Sequence, residues 1–116
     1  MKFKLIIALV ADERTEKVIE AARDMGATGA TIIKSARGEG LLPAKTFLGL
    51  TLEGQVDVIL FIVEQHLSRP VLERIADVGR FGKKSGAGVA FQVPIEDAIG
   101  LGSQIAAITE EIEEQL

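Results

Sequence analysis

The residues best suited to chemistry are Gly82-Lys83-Lys84-Ser85-Gly86-Ala87-Gly88, just before the apolar run Val89-Ala90-Phe91-Gln92-Val93-Pro94. Gly86 and Gly88 free the backbone to turn tightly and present N–H groups, and Lys83 and Lys84 add positive charge. Such a loop suits an anion; the plainer reading is a solvated turn before an edge strand. The other polar clusters carry less. His66 is the only histidine, and beside Glu64 it makes a metal site only if a neighbouring subunit helps. The acidic pairs Asp12-Glu13 and Glu96-Asp97 sit where helices start, which capping explains. No Ser/His/Asp set has recognisable spacing. No residue is therefore assigned a catalytic or metal-binding role.

Composition narrows the classes further. The 116 residues suffice for one domain with a real core, and an apolar fraction of 47% marks a folded chain. A net charge of −4 argues against nucleic-acid binding. Cysteine, Trp and Tyr are absent, which removes disulfides, thiolate chemistry and most base-stacking platforms. The N-terminal apolar run is short and meets Asp12-Glu13-Arg14 at once, unlike a signal peptide. No stretch has the length of a membrane span, so a cytoplasmic protein without membrane insertion is expected.

The elements that must position the loop follow from periodicity. Phe3 to Val10 is a continuous apolar run that predicts a central strand. Asp12 is the expected N-cap of a helix from Glu13 to Met25, with Val18, Ile19, Ala22 and Met25 on one stripe and Gly26 ending it. Thr28 to Ser35 predicts the second strand. Arg37-Gly38-Glu39-Gly40 breaks it, and Leu41 to Thr51 lacks a clean period, so an exposed connection is expected. Its apolar residues suit either docking or packing on the core or an interface. Gln55 to Glu64 predicts the third strand. Ser68 and Pro70 suggest the start of a second helix that runs to Arg80. Ala87 to Val93 predicts the fourth strand, stopped by Pro94. Ile95 to Ile99 suggests a short helix, Gly100 and Gly102 a hinge, and Ser103 to Glu114 a last helix.

The order is β-α-β-β-α-β with a helical tail, an α+β ferredoxin-like sandwich in which two helices cover one face of an antiparallel sheet. The strands are apolar on both sides. The uncovered face must meet something, and self-association is the simplest answer.

Three stretches are similar to the PII signalling proteins (nitrogen regulatory protein P-II), and more closely to the divergent PII-like group. Gly29-Ala30-Thr31, with Ala36-Arg37-Gly38-Glu39-Gly40 after it, resembles the family's second strand and the base of its T-loop. The 82–88 loop resembles its B-loop, Thr-Gly-Lys-x-Gly-Asp-Gly-Lys. Phe91-Gln92-Val93-Pro94-Ile95-Glu96-Asp97-Ala98-Ile99 resembles the segment that opens its C-loop. The match spans roughly residues 3–102. It implies one PII-like domain over 1–116, with a T-loop-like connection at 37–54, the B-loop-like stretch at 82–88 and a C-terminal segment at 94–116. It also implies a homotrimer that senses ATP, ADP or AMP in clefts between subunits and needs no cofactor to fold. Residues 37–54 would dock on a target enzyme or membrane transporter, with nitrogen regulation the family's usual setting. Carried over by position, Thr31 reaches the adenine, Gly38 and Gly40 approach the nucleotide, and Lys83, Gly86 and Gly88 wrap the phosphates, with Lys84 as an added charge. The resemblance implies a regulator and not an enzyme.

Several residues depart from the family pattern. Ala87 replaces the B-loop acid, Val89 replaces its lysine, and an extra residue stands between Lys83 and Gly86. Gly100-Leu101-Gly102 stands where the family places an arginine–x–arginine pair that reaches the nucleotide's phosphates and ribose across the interface. Each lost charged contact removes about 1.5–3 kcal/mol in gross terms. A nucleotide with fewer phosphates, another small anion and no ligand all remain open. With no tyrosine present, tyrosine uridylylation is excluded. The alternative is a ferredoxin-like module binding an amino acid or anion without nucleotide sensing.

Overall fold

The structure is a computed structural model, described over residues 2–37, 46–47, 50–51, 55–82 and 88–102. It is an α+β ferredoxin-like sandwich. Strand β1 spans Phe3–Ala11, helix α1 Thr15–Asp24, and strand β2 Thr31–Arg37. The two-residue strands β3 (Thr46–Phe47) and β4 (Leu50–Thr51) pair with each other. Strand β5 (Gln55–Glu64), helix α2 (Gln65–Gly79) and strand β6 (Gly88–Pro94) follow. The main sheet has four strands in the order β2-β5-β1-β6, all antiparallel.

The alternation of side chains along each strand divides the sheet into two faces. Ile6, Ala8 and Val10 of β1 join Ile59, Phe61 and Val63 of β5 in one buried cluster with Val18 and Ala22 of α1 and Leu67, Val71 and Ile75 of α2. The other face carries Leu5, Ile7 and Leu9, paired on one side with Ile62, Leu60 and Val58 and on the other with Val93, Phe91 and Val89. No described helix lies on it. Phe91 is 40% exposed, and Ile33, beside Val58, is 50% exposed. The face is apolar in three consecutive cross-strand rows.

Several boundaries differ from expectation for identifiable reasons. Asp12 does not cap α1 with its side chain; it opens a 3-10 turn, Asp12–Arg14, and α1 begins at Thr15. The anchor there is tertiary, as Thr15 Oγ donates to Asp57 Oδ2 at 2.6 Å. Strand β2 begins later and runs two residues further than expected, through a register shift between Ile33 and Ala36. Helix α2 begins at Gln65 instead of near Ser68, because the Glu64 carboxylate accepts the His66 N–H at 2.7 Å. Pro70 therefore lies inside the helix, and Ser68 Oγ donates to Gln65 O. Ile95 to Ile99 is not helical; the Ile95 N–H extends the β6 pairing by donating to Phe3 O at 3.1 Å. The connection after β2 holds the β3–β4 ladder, which its irregular pattern did not suggest. The last helix, expected from Ser103 to Glu114, falls outside the described residues.

Gly26 ends α1 as expected. With φ +111 it lets Ala27 N–H reach Ala22 O at 2.9 Å and its own N–H reach Arg23 O at 3.1 Å. Arg80 ends α2 in the same way at φ +59, and Phe81 N–H donates to Ala76 O.

Candidate functional site

Two of the residues singled out for binding lie within the described structure. Thr31 is the first residue of β2, opposite Leu60 of β5. It lines a pocket of ≈ 220 Å³ together with Gly29, Ala30, Leu60 and Ile62. The backbone of Gly29 and Ala30 and the Thr31 hydroxyl supply hydrogen-bonding edges, and the Leu60 and Ile62 side chains supply an apolar wall. That combination suits a flat, partly apolar group with polar edges, such as a heteroaromatic ring. The wall belongs to the open sheet face, so the pocket adjoins the surface on which no described helix lies.

Gly88 opens β6, at the opposite edge of the sheet from Thr31. Two strands intervene, which puts the two edges about 14 Å apart at the usual strand spacing. Its own neighbours give Gly88 a packing role. At φ +151, an added Cβ would lie 2.5 Å from Phe81 Cε1 and 2.8 Å from Leu9 O. The Cβ of an alanine at position 79 would lie 2.4 Å from the same Phe81 atom. The phenyl ring is thus boxed between the end of α2 and the start of β6, where it holds the stem of the Gly/Lys loop. Gly38, Gly40, Lys83, Lys84 and Gly86 fall outside the described residues.

The residues at the departures are also placed. Val89 pairs with Leu9 within the apolar rows of the open face. Gly100 has φ +97, and Gly102 would meet nothing within 4 Å if it carried a Cβ. Packing does not require a glycine at 102.

Asp57 is the polar feature that the sequence reading passed over. It is 1% exposed on β5, on the helix-covered side. Its carboxylate accepts from Thr15 Oγ at 2.6 Å, Lys34 Nζ at 3.0 Å and the Ser35 N–H at 3.4 Å. The available signal was a lone acid inside Val56-Asp57-Val58-Ile59, but its partners are distant in sequence. Burial pushes the Asp57 carboxyl up, and the hydrogen bonds from Thr15, Lys34 and Ser35 outweigh that and hold it below its ordinary 3.8. Lys34, 67% exposed, is raised above 10.5, first by its hydrogen bond to Asp57 and then by that carboxylate's charge, with smaller help from Asp12 and Glu16. A depressed carboxyl stabilises the fold above its unfolded value, and that contribution is lost as pH falls through the folded value. The Asp57 contribution should accordingly be level above about pH 5 and fall in acid below pH 3.8. Chemical denaturation across pH should show this fall reduced in Asp57→Asn relative to the parent.

His66 sits at the start of α2 and pairs through Nδ1 with Glu64. Among the described residues, no three His, Cys, Asp or Glu side chains stand together as a metal site. No described helix is long and apolar enough to cross a membrane.

Known proteins bear on this geometry. Solved structures of similar fold include a PII-like signalling protein of Thermus thermophilus, 23% identical over 82% of this chain and 87% of that one, with a TM-score of 0.61. CPII of Thiomonas intermedia, solved with ADP, AMP and acetate, is 19% identical over 83% and 90%, with a TM-score of 0.61. GlnK of B. subtilis, solved as its ATP complex, is 19% identical over 86% and 87%, with a TM-score of 0.69. No curated protein matches the chain. The model of the family described as nitrogen regulatory protein P-II matches residues 3–104. With that match over most of its length, and with the family's sheet and helix arrangement, the chain belongs to the nitrogen regulatory protein P-II family.

Proposed function

We propose that the chain is a cytoplasmic PII-type regulator, not an enzyme, and that it works as a homotrimer. The copies associate through the open sheet faces, and the clefts between them take an adenine nucleotide. Occupancy then sets how residues 37–54 dock on a target enzyme or membrane transporter, with nitrogen regulation as the setting. The observation that carries this reading is the Thr31 pocket beside a sheet face that no described helix covers and that is apolar in three rows. The nucleotides held by CPII and GlnK support the ligand class. Thr31 and Gly88 lie on opposite edges of one sheet, which favours a ligand bridging two copies. In this reading Thr31 meets the base, Gly38 and Gly40 approach from the connection, and Lys83, Lys84, Gly86 and Gly88 surround the phosphates.

The missing positive charges favour ADP or AMP over ATP. Calorimetry with the three nucleotides tests this: binding of ADP or AMP, weakened by Lys83→Ala/Lys84→Ala, is expected. Silence for all three would remove nucleotide sensing and leave the amino-acid or anion module.

A gain of function is expected from Gly102→Arg, since position 102 is open and no Cβ clash opposes it. One recovered charge-assisted phosphate contact, at about 1.5–3 kcal/mol, tightens ATP binding about tenfold to a hundredfold. AMP affinity should change far less. Equal tightening of both would contradict the placement of residue 102 at the phosphates.

A further inference from the structure

We infer that Asp57 is a positioning residue that pins the bulge in β2 and thereby decides which sheet face receives Arg37. The ladder pairs Ile33 with Val58 and then Ala36 with Val56, so Lys34 and Ser35 together oppose the single residue Asp57. Ser35 takes φ +62, a left-handed conformation unfavourable for a residue with a Cβ. Such a bulge bends the strand and leaves ladder groups unpaired, so it needs a compensating contact. The Asp57 carboxylate supplies it to both bulge residues, through Lys34 Nζ and the Ser35 N–H. Its third partner, Thr15 Oγ, ties the same carboxylate to the first residue of α1.

The consequence follows from the two-residue period of a strand. With the bulge, Ala36 falls beside Val56 on the open face, and Arg37 falls beside Gln55 on the helix-covered side. Without it, Ser35 would oppose Val56, and Arg37 would move to the open face. A guanidinium would then stand at the end of the apolar rows. The register lock stands on the geometry alone; its bearing on assembly rests on the trimer proposed above.

The chain has no cysteine, so paired cysteines can report the register without background. Ala36→Cys/Val56→Cys places thiols on directly opposed residues of the bulged strand. Ser35→Cys/Val56→Cys does so only in the slipped strand. Directly opposed strand residues lie within disulfide reach. Under mild oxidation, intact-mass measurement should find only the 36/56 crosslink in the parent. In Asp57→Asn, the 35/56 crosslink should appear and the 36/56 yield should drop at least about fivefold. Adding Ser35→Gly, which removes the left-handed penalty, should restore the 36/56 crosslink, a rescue that general loosening does not predict. An Asp57→Asn protein that forms only the 36/56 crosslink overturns the inference. If Asp57→Asn does not fold, Thr15→Val/Lys34→Met, which keeps the carboxylate but removes two of its donors, is read instead. There too, absence of the 35/56 crosslink overturns it. The crosslinks need neither ligand nor partner copies. A parent protein that is single in solution would refute the trimer and leave the register result standing.

Discussion

Ile7→Asp is expected to leave the chain folded but single. Ile7 is central to β1, with Leu60 on one side and Phe91 on the other, and points away from α1 and α2. In one copy it is only half-buried, so an aspartate there can keep contact with water. Closed against sister copies, the same carboxylate would be desolvated without a partner, which costs several kcal/mol. At about 4 kcal/mol per copy, association weakens about a thousandfold for each subunit joined. Sedimentation velocity with circular dichroism separates the two effects: the mass should fall to one chain while the helix and strand signal persists. Ile6→Asp, which points into the helix-covered core, should abolish the folded signal instead. An Ile7→Asp protein that assembles like its parent would refute the use of this face.

Gly88→Ala should cost about 3 kcal/mol of stability and lower the thermal midpoint by roughly 10 °C. Two effects combine. Alanine rarely adopts φ +151, and its Cβ would press on Phe81 and on the Leu9 carbonyl. The ring cannot simply retreat, because Gly79 is shaped to its other contact, and Leu9 O is backbone of a central strand. Gly82→Ala is the control: φ +73 is also unfavourable, but no atom lies within 4 Å of its added Cβ. Its cost should stay at about 1 kcal/mol. Phe81→Ala should cost less in the Gly88→Ala background than alone, because the ring clash goes with the ring, while the contact with Leu9 O remains. Equal midpoints for Gly88→Ala and Gly82→Ala would contradict the packing role.

The strand and helix order was readable because long apolar runs and helical stripes dominate it. Strand β5 begins and ends where its continuous run from Gln55 to Glu64 does. Gly26 was readable as a helix end because a positive φ favours glycine. The face that no described helix covers was readable too, from strands apolar on both sides. What escaped depends on residues far apart in sequence. Asp57 looked like an interruption in a strand, since Lys34, Ser35 and Thr15 meet it only after folding. The start of α2 escaped because a glutamate ending a strand and one capping a helix look alike. Strands β3 and β4, two residues each, are too short to show a period. At the site, Thr31 came from the family resemblance, and the pocket beneath it depends on Leu60 and Ile62 across the sheet. Gly88 was noticed for backbone freedom, whereas Phe81 and Leu9 supply a packing reason that only the folded chain displays.

The decisive measurement is the absolute mass of the purified chain by light scattering across micromolar concentrations. A steady mass of three chains, with the tryptic and exchange signatures of a covered β1–β6 face, is the predicted result. A mass of one chain throughout, with Ile7, Phe91 and Leu60 open to solvent, would contradict it.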